Sequence, residues 1–169
     1  MEIDATTIKE LRAQTSAGVM ACRAALIESK GDIAEAIKIL EKKNLVEAQK
    51  KVERKASQGK IEAYVHTGGR IGALVEVNCE TDFVADTEDF KNLIHNVALQ
   101  VAAQNPCYVS EEEVPPGTKV HPEVDCLLSQ PFIKDPTKAV RDLVAETIAK
   151  TGENIKVRRF SRFELGIYE

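Results

Sequence analysis

Apolar residues at helical spacing open the chain in three short stretches. Ile8 and Leu11 mark the first, Val19, Cys22 and Leu26, with Met20, mark the second, and Ile33, Ala36, Ile37 and Leu40 mark the third. Each set returns to one face every three or four residues, which predicts three short amphipathic helices. Ser16 is the candidate cap of the second helix, and Gly31 is placed to end it. Asp32 followed by Glu35 has the spacing of a capping box at the start of the third. Residues 1–43 are thus expected to form a compact three-helix bundle with a core too small for more than marginal stability alone. From about Asn44 to Gly59 the chain is charged and lacks a wide apolar stripe. A linker of helical character is expected there rather than a packed element.

Past Gly59 the period shortens to two. Ile61, Ala63 and Val65 alternate with Glu62, Tyr64 and His66, so the apolar faces of a second unit begin at Ile61. Thr67-Gly68-Gly69-Arg70 supplies a hairpin turn, and Ile71 to Val77 the second strand. Helical spacing returns at Phe90, Leu93, Ile94, Val97, Ala98, Val101 and Ala102, with Asp86 or Thr87 as cap and Pro106 as terminator. Residues 115–122 read as a turn-rich loop. A last helix is expected from about Thr137 to Lys150, burying Val140, Leu143, Val144 and Ile148 and stopped by Gly152. Ile155 to Leu165 then returns as a third strand. Residues 60–169 therefore predict an α+β core, with helices packed on a small three-stranded antiparallel sheet.

The junction between second strand and long helix, Glu80-Thr81-Asp82-Phe83-Val84-Ala85-Asp86-Thr87-Glu88-Asp89-Phe90, carries the most information. Thr81 and Asp82 are poor core residues, so a turn with Phe83 on its tip would offer an aromatic wedge to a partner's pocket. The competing reading is that Phe83 caps the local core, the commoner fate of an aromatic near a strand end.

Composition narrows the classes. With 169 residues, 43% hydrophobic and 30% charged, the chain can bury one ordinary core plus a small module. No apolar run approaches the roughly 18 residues a membrane span needs. Met1-Glu2-Ile3-Asp4 is acidic where a signal peptide is basic, so a cytoplasmic protein is expected, with no membrane partner. Cys22, Cys79, Cys107 and Cys126 are scattered singly, without the paired spacing of a zinc site or redox pair. Neither a metal nor a cofactor is expected. His66, His95 and His121 sit in no recognisable catalytic motif, and a Cys79 nucleophile would need His66 to face it across the hairpin. Gly68, Gly69 and Gly72 precede no helix and serve the hairpin rather than a phosphate.

A net charge of −4 weighs against nucleic acid as principal partner. Two basic clusters keep open an alternative of another class, an RNA-binding accessory protein. One runs from Lys42 to Lys55 and the other holds Arg158, Arg159 and Arg162. Such a binder would lose affinity steeply with salt.

The junction closely resembles the signature of the elongation factor Ts family. Three more blocks agree in order: Leu11 to Leu26, Gln130-Pro131-Phe132-Ile133-Lys134-Asp135, and Gly152-Glu153-Asn154-Ile155-Lys156-Val157-Arg158-Arg159-Phe160. In the first block this chain has Ala21 where the family usually carries an acidic residue. The resemblance implies a guanine-nucleotide exchange factor, without covalent chemistry, that engages elongation factor Tu in its GDP-bound and nucleotide-free forms. It implies a ubiquitin-associated-like N-terminal module touching the GTPase through Leu11, Arg12, Val19 and Met20, of which Leu11 and Val19 could equally be bundle core. It also implies that Thr81, Asp82, Phe83 and Val84 form the wedge, with Asp82 and Phe83 entering the GTPase and disturbing its magnesium site. Longer relatives carry two core subdomains, whereas this chain has one signature block, so it resembles the short form. A homodimer through the 60–169 core, with sheet edges as one route, is the corresponding expectation.

Overall fold

The computed structural model describes residues 3–15 and 17–167. Helices α1 (Ala5–Thr15), α2 (Val19–Glu28) and α3 (Ile33–Lys51) form the N-terminal bundle around buried Leu11, Cys22, Ala25, Leu26, Ala36 and Leu40. The end of α2 and the start of α3 follow the local code. Gly31 takes a φ of 91°, and its N–H donates to the Leu26 carbonyl at 2.8 Å. The Asp32 carboxylate then accepts from the Glu35 N–H at 2.9 Å. Ser16, the expected cap of α2, lies outside the described residues, and the N-cap position is taken by Gly18.

Helix α3 passes without a break through residue 43, where the N-terminal module was expected to end. The segment up to Lys51 is helical, as expected of the linker. It also packs, because Ala48 lies against the second core. The Lys138 ammonium joins Glu41 of α3 at 3.5 Å to Glu146 at 2.5 Å.

Strands β1 (Gln58–Val65) and β2 (Ile71–Cys79) form the antiparallel hairpin. Gly59 is required in it, since a Cβ there would meet the Val77 carbonyl oxygen at 2.1 Å. After β2 come a one-turn helix α4 (Asp82–Ala85) and the long α5 (Glu88–Gln104), capped by Thr87 and ended by left-handed Asn105 ahead of Pro106. The turn-rich loop expected at residues 115–122 is present up to His121, and short ordered pieces flank it. Two short 3-10 turns and α6 (Pro122–Asp125) lead into a two-residue strand β3 (Pro131–Phe132), which pairs with β4 (Asp135–Ala139). Buried Gln100 of α5 pins this segment, donating to Gln130 Oε1 at 3.0 Å and to the Pro131 carbonyl at 3.1 Å, and accepting from the Ile133 N–H at 3.0 Å.

The last helix, α7, spans Val140–Thr151 and so begins later than expected. Pro136 disfavours helical backbone at Asp135, residues 135–139 form β4, which pairs with β3 at Asp135–Phe132 and Ala139–Pro131, and the Asp142 carboxylate caps the Ala139 N–H at 2.8 Å. Gly152, at φ 77°, stops α7, and β5 (Ile155–Glu164) completes the sheet in the order β1-β2-β5.

Helix α5 covers one sheet face, burying Ala73, Val75, Val77 and Cys79 of β2. The register decides which face β1 offers. Glu62 pairs with Val75 and Tyr64 with Ala73, and directly paired residues share a face. The polar positions of β1 therefore look toward α5, where Glu62 meets His95 at 3.1 Å and Tyr64 packs edge-on against the same imidazole. The apolar set is on the opposite side: Ile61 and Val65 are 67% and 66% exposed. With Leu74, Phe163 and Leu165 they make an open, apolar sheet face.

Candidate functional site

The signature segment is built from three separate pieces of chain. The end of β2 delivers Glu80 and Thr81, α4 carries Asp82 and Phe83, and the turn after α7 supplies Glu153. Glu153 Oε2 accepts from the backbone N–H of Glu80 at 3.1 Å and of Thr81 at 3.0 Å, while its Oε1 accepts from Thr81 Oγ1 at 2.7 Å. Thr81 Oγ1 in turn accepts from the Val84 N–H at 3.4 Å, the N-cap bond of α4. The Cys79 thiol donates to the Thr81 carbonyl at 3.0 Å. Burial first, and the Glu153 carboxylate second, push that thiol up to about 11, so at neutral pH it stays protonated and able to donate.

This frame leaves Phe83 outside it. The ring is 82% exposed, the most exposed of the large apolar side chains among the described residues. The reading in which it caps the core is thereby excluded. Asp82 beside it is also exposed, whereas Val84, expected within the wedge, is buried with Ala85 against β2 and α5. The one-turn helix is thus divided, with its first two residues offered to solvent and its last two anchoring it. Asp86, at its end, is held by Lys60 of β1 at 2.7 Å, which lowers its carboxyl pKa.

The N-terminal candidates separate in the same way. Leu11 is completely buried at the centre of the bundle, while Val19 and Met20, at the start of α2, are 49% and 71% exposed. Arg12 is exposed on α1. Exposed residues and a buried core residue are therefore both present in this motif.

Other chemistry finds less support. Cys79 pairs with Gln58 and Ile155 at one end of the sheet, and His66 follows the opposite end of β1, so no Cys–His couple forms. Cys22, Cys79 and Cys126 are buried and Cys107 is exposed, all as free thiols. Among the described residues no group of three or more His, Cys, Asp or Glu could hold a metal ion, and no helix is long and apolar enough to cross a membrane. Of the three arginines in β5, Arg159 is engaged by Glu76 at 2.7 Å, and Arg162 by Glu164 at 2.8 Å and by the Ala102 carbonyl at 3.0 Å. A β-bulge falls at Arg158.

The sequence signal pointed to residues 81–84 but not to Glu153, which lies 72 positions from Thr81. Its only trace was membership of a second block, Gly152 to Phe160.

Comparison with known proteins agrees across nearly the whole length. A family model described as Elongation factor TS matches residues 2–124. A protein called elongation factor Ts from Caldanaerobacter subterraneus subsp. tengcongensis is 48% identical, over 97% of this chain and 97% of its own length. A relative of the same name from Herpetosiphon aurantiacus is 48% identical over 98% of this chain and 99% of its own. Another from Thermoanaerobacter sp. is 47% identical over 97% and 95% respectively.

Proposed function

Because the chain belongs to the elongation factor Ts family, we propose that it acts as a guanine-nucleotide exchange factor for elongation factor Tu in the cytoplasm. It does so by binding, without covalent chemistry. A factor that binds the nucleotide-free GTPase better than the GDP-bound form must weaken GDP binding by the same ratio. The observation that carries this reading is Phe83, an aromatic held almost fully in solvent on a helix whose backbone is fixed from behind. A side chain so placed costs apolar exposure in the free protein and recovers it only inside a partner.

In this reading Asp82 and Phe83 enter the GTPase and disturb its magnesium site, with Thr81 and Val84 holding the turn that carries them. Burying one phenyl ring is worth about 1.5 to 3 kcal/mol. At about 1.4 kcal/mol per tenfold in rate, that covers one to two decades of acceleration. The rest must come from a second surface, for which exposed Arg12, Val19 and Met20 are the candidates, held in place by Leu11. The two arginines already engaged by carboxylates favour this over the RNA-binding reading.

The open sheet face supports a two-copy assembly. Val65, Leu74 and Phe163 present contiguous apolar surface, and two such faces can stack as a sandwich about a twofold axis. Release of fluorescent GDP from purified elongation factor Tu, with and without the chain, tests the exchange reading. Release unaccelerated by the chain would remove it.

A further inference from the structure

The turn after α7 does more than end a helix. While Glu153 binds the backbone of Glu80 and Thr81, the Glu80 carboxylate reaches back to accept the Asn154 N–H at 2.6 Å and lies 3.6 Å from Arg54 Nη1. Asn154 is 1% exposed, and its amide donates to the carbonyls of Val52 at 3.3 Å and Arg54 at 2.7 Å, just past the end of α3. Two residues therefore join the base of α4 to the exit of the helix that carries the N-terminal bundle. We propose that Glu153 is a positioning residue for nucleotide exchange: it fixes the aim of Phe83 through Thr81, on a turn that Asn154 ties to the end of α3. This inference rests on the exchange reading above.

Glu153 is suited to positioning more than to general support. Its three accepted bonds converge on the two residues that set the direction of α4, two of them on backbone N–H groups. Bonds to a carboxylate are the stronger and shorter kind. The apolar anchoring of α4, through Val84 and Ala85, does not involve Glu153. Removing the carboxylate would leave the helix attached but its first turn free to pivot. A docking group is effective only within roughly 0.5 Å of its proper place, and a misplacement of about 1 Å costs up to about a hundredfold.

The test is a double-mutant cycle in the full chain, with Glu153→Ala, Phe83→Ala and both together. Release of fluorescent GDP from elongation factor Tu is followed over a range of chain concentrations, so that maximal rate and half-saturation are read separately. Amide hydrogen exchange at Thr81 is measured in the free chain. Glu153→Ala is expected to lower the maximal rate about tenfold, to leave half-saturation within about twofold, and to expose the Thr81 amide. The double variant should be slower than Phe83→Ala by much less than the tenfold that Glu153→Ala costs alone, because the carboxylate acts chiefly by aiming the ring. Glu153→Gln, which keeps one acceptor oxygen, should fall between wild type and Ala and carries the same cycle if the Ala variant does not fold. Effects that multiply in the double variant, an unchanged maximal rate, or a Thr81 amide as protected as in wild type would each overturn the inference. Wild-type chain that leaves GDP release unaccelerated would sink the exchange reading and this inference together, whereas normal wild-type activity with multiplying effects would sink the inference alone.

Discussion

Replacing Phe83 by Ala should separate activity from stability almost completely. The ring is 82% exposed, so only about a fifth of it contributes to the fold. Scaling the roughly 1.5 to 3 kcal/mol of a fully buried side chain gives about 0.3 to 0.5 kcal/mol lost. For a domain of this size about 1 kcal/mol moves the melting temperature by 2 to 4 °C, so the shift should be about 1 to 2 °C. Phe90, seven residues on and completely buried, supplies the control. Its truncation should cost about 3 to 5 kcal/mol and lower the melting temperature by roughly 6 to 20 °C. In the exchange assay the order reverses. Phe83→Ala should slow factor-dependent GDP release by one to two decades, the full value of a ring desolvated in a partner's pocket. Asp82→Asn, which keeps shape but removes charge, should lose less if packing dominates. Differential scanning fluorimetry beside stopped-flow GDP release reads both quantities on the same samples. A melting temperature lowered by more than about 5 °C in Phe83→Ala would show that the ring belongs to the core, and exchange within twofold of wild type would show that the wedge is elsewhere.

Three further outcomes are expected. Leu11→Ala should destabilise the bundle by about 2 to 5 kcal/mol, as for any fully buried leucine, whereas Met20→Asp should leave melting unchanged and raise the half-saturating concentration in exchange; the reverse pattern would exchange their roles. Phe163→Glu or Val65→Lys, each at a residue two-thirds exposed, should convert a two-copy assembly to monomer in light scattering, and a wild type already monomeric at every concentration would end that proposal. The Cys79 thiol, raised from 9.0 to about 11 by burial and Glu153, binds its proton more tightly in the folded state. Its contribution is therefore whole below pH 9 and is lost as pH climbs through about 11. Melting curves should fall more steeply over that interval in wild type than in Cys79→Ala, and parallel curves would contradict the assignment.

Much of the local structure was legible because its causes are local. Asp32 caps α3, Thr87 caps α5 and Gly152 ends α7 through bonds within a few residues of themselves. The helical repeat of Phe90 to Ala102 marked a face that is buried in full. The late start of α7 was missed because Pro136 and the pairing of β4 with β3 outweigh helical periodicity. The packing of Ala48 was missed because one small residue in a charged stretch makes no visible stripe.

The sequence by itself determined the order and kind of the longer elements, most of the caps, and the motif that places the chain in its family, but not the short α4, α6, β3 and β4. Hydrogen bonds over three to five residues and repeats of two and 3.6 leave their mark in the chain. Which side of each element meets solvent was decided only by tertiary structure. In β1 the alternation was plain, yet the pairing of Glu62 with Val75 turned the apolar side outward. A two-residue period carries no information about which face a helix will cover. In Thr81-Asp82-Phe83-Val84 four adjacent residues were one motif, and the approach of α5 and of Glu153 divided them into an exposed pair and an anchoring pair. A carboxylate 72 residues distant from the backbone it holds obeys no period, so only the folded chain brings the two together.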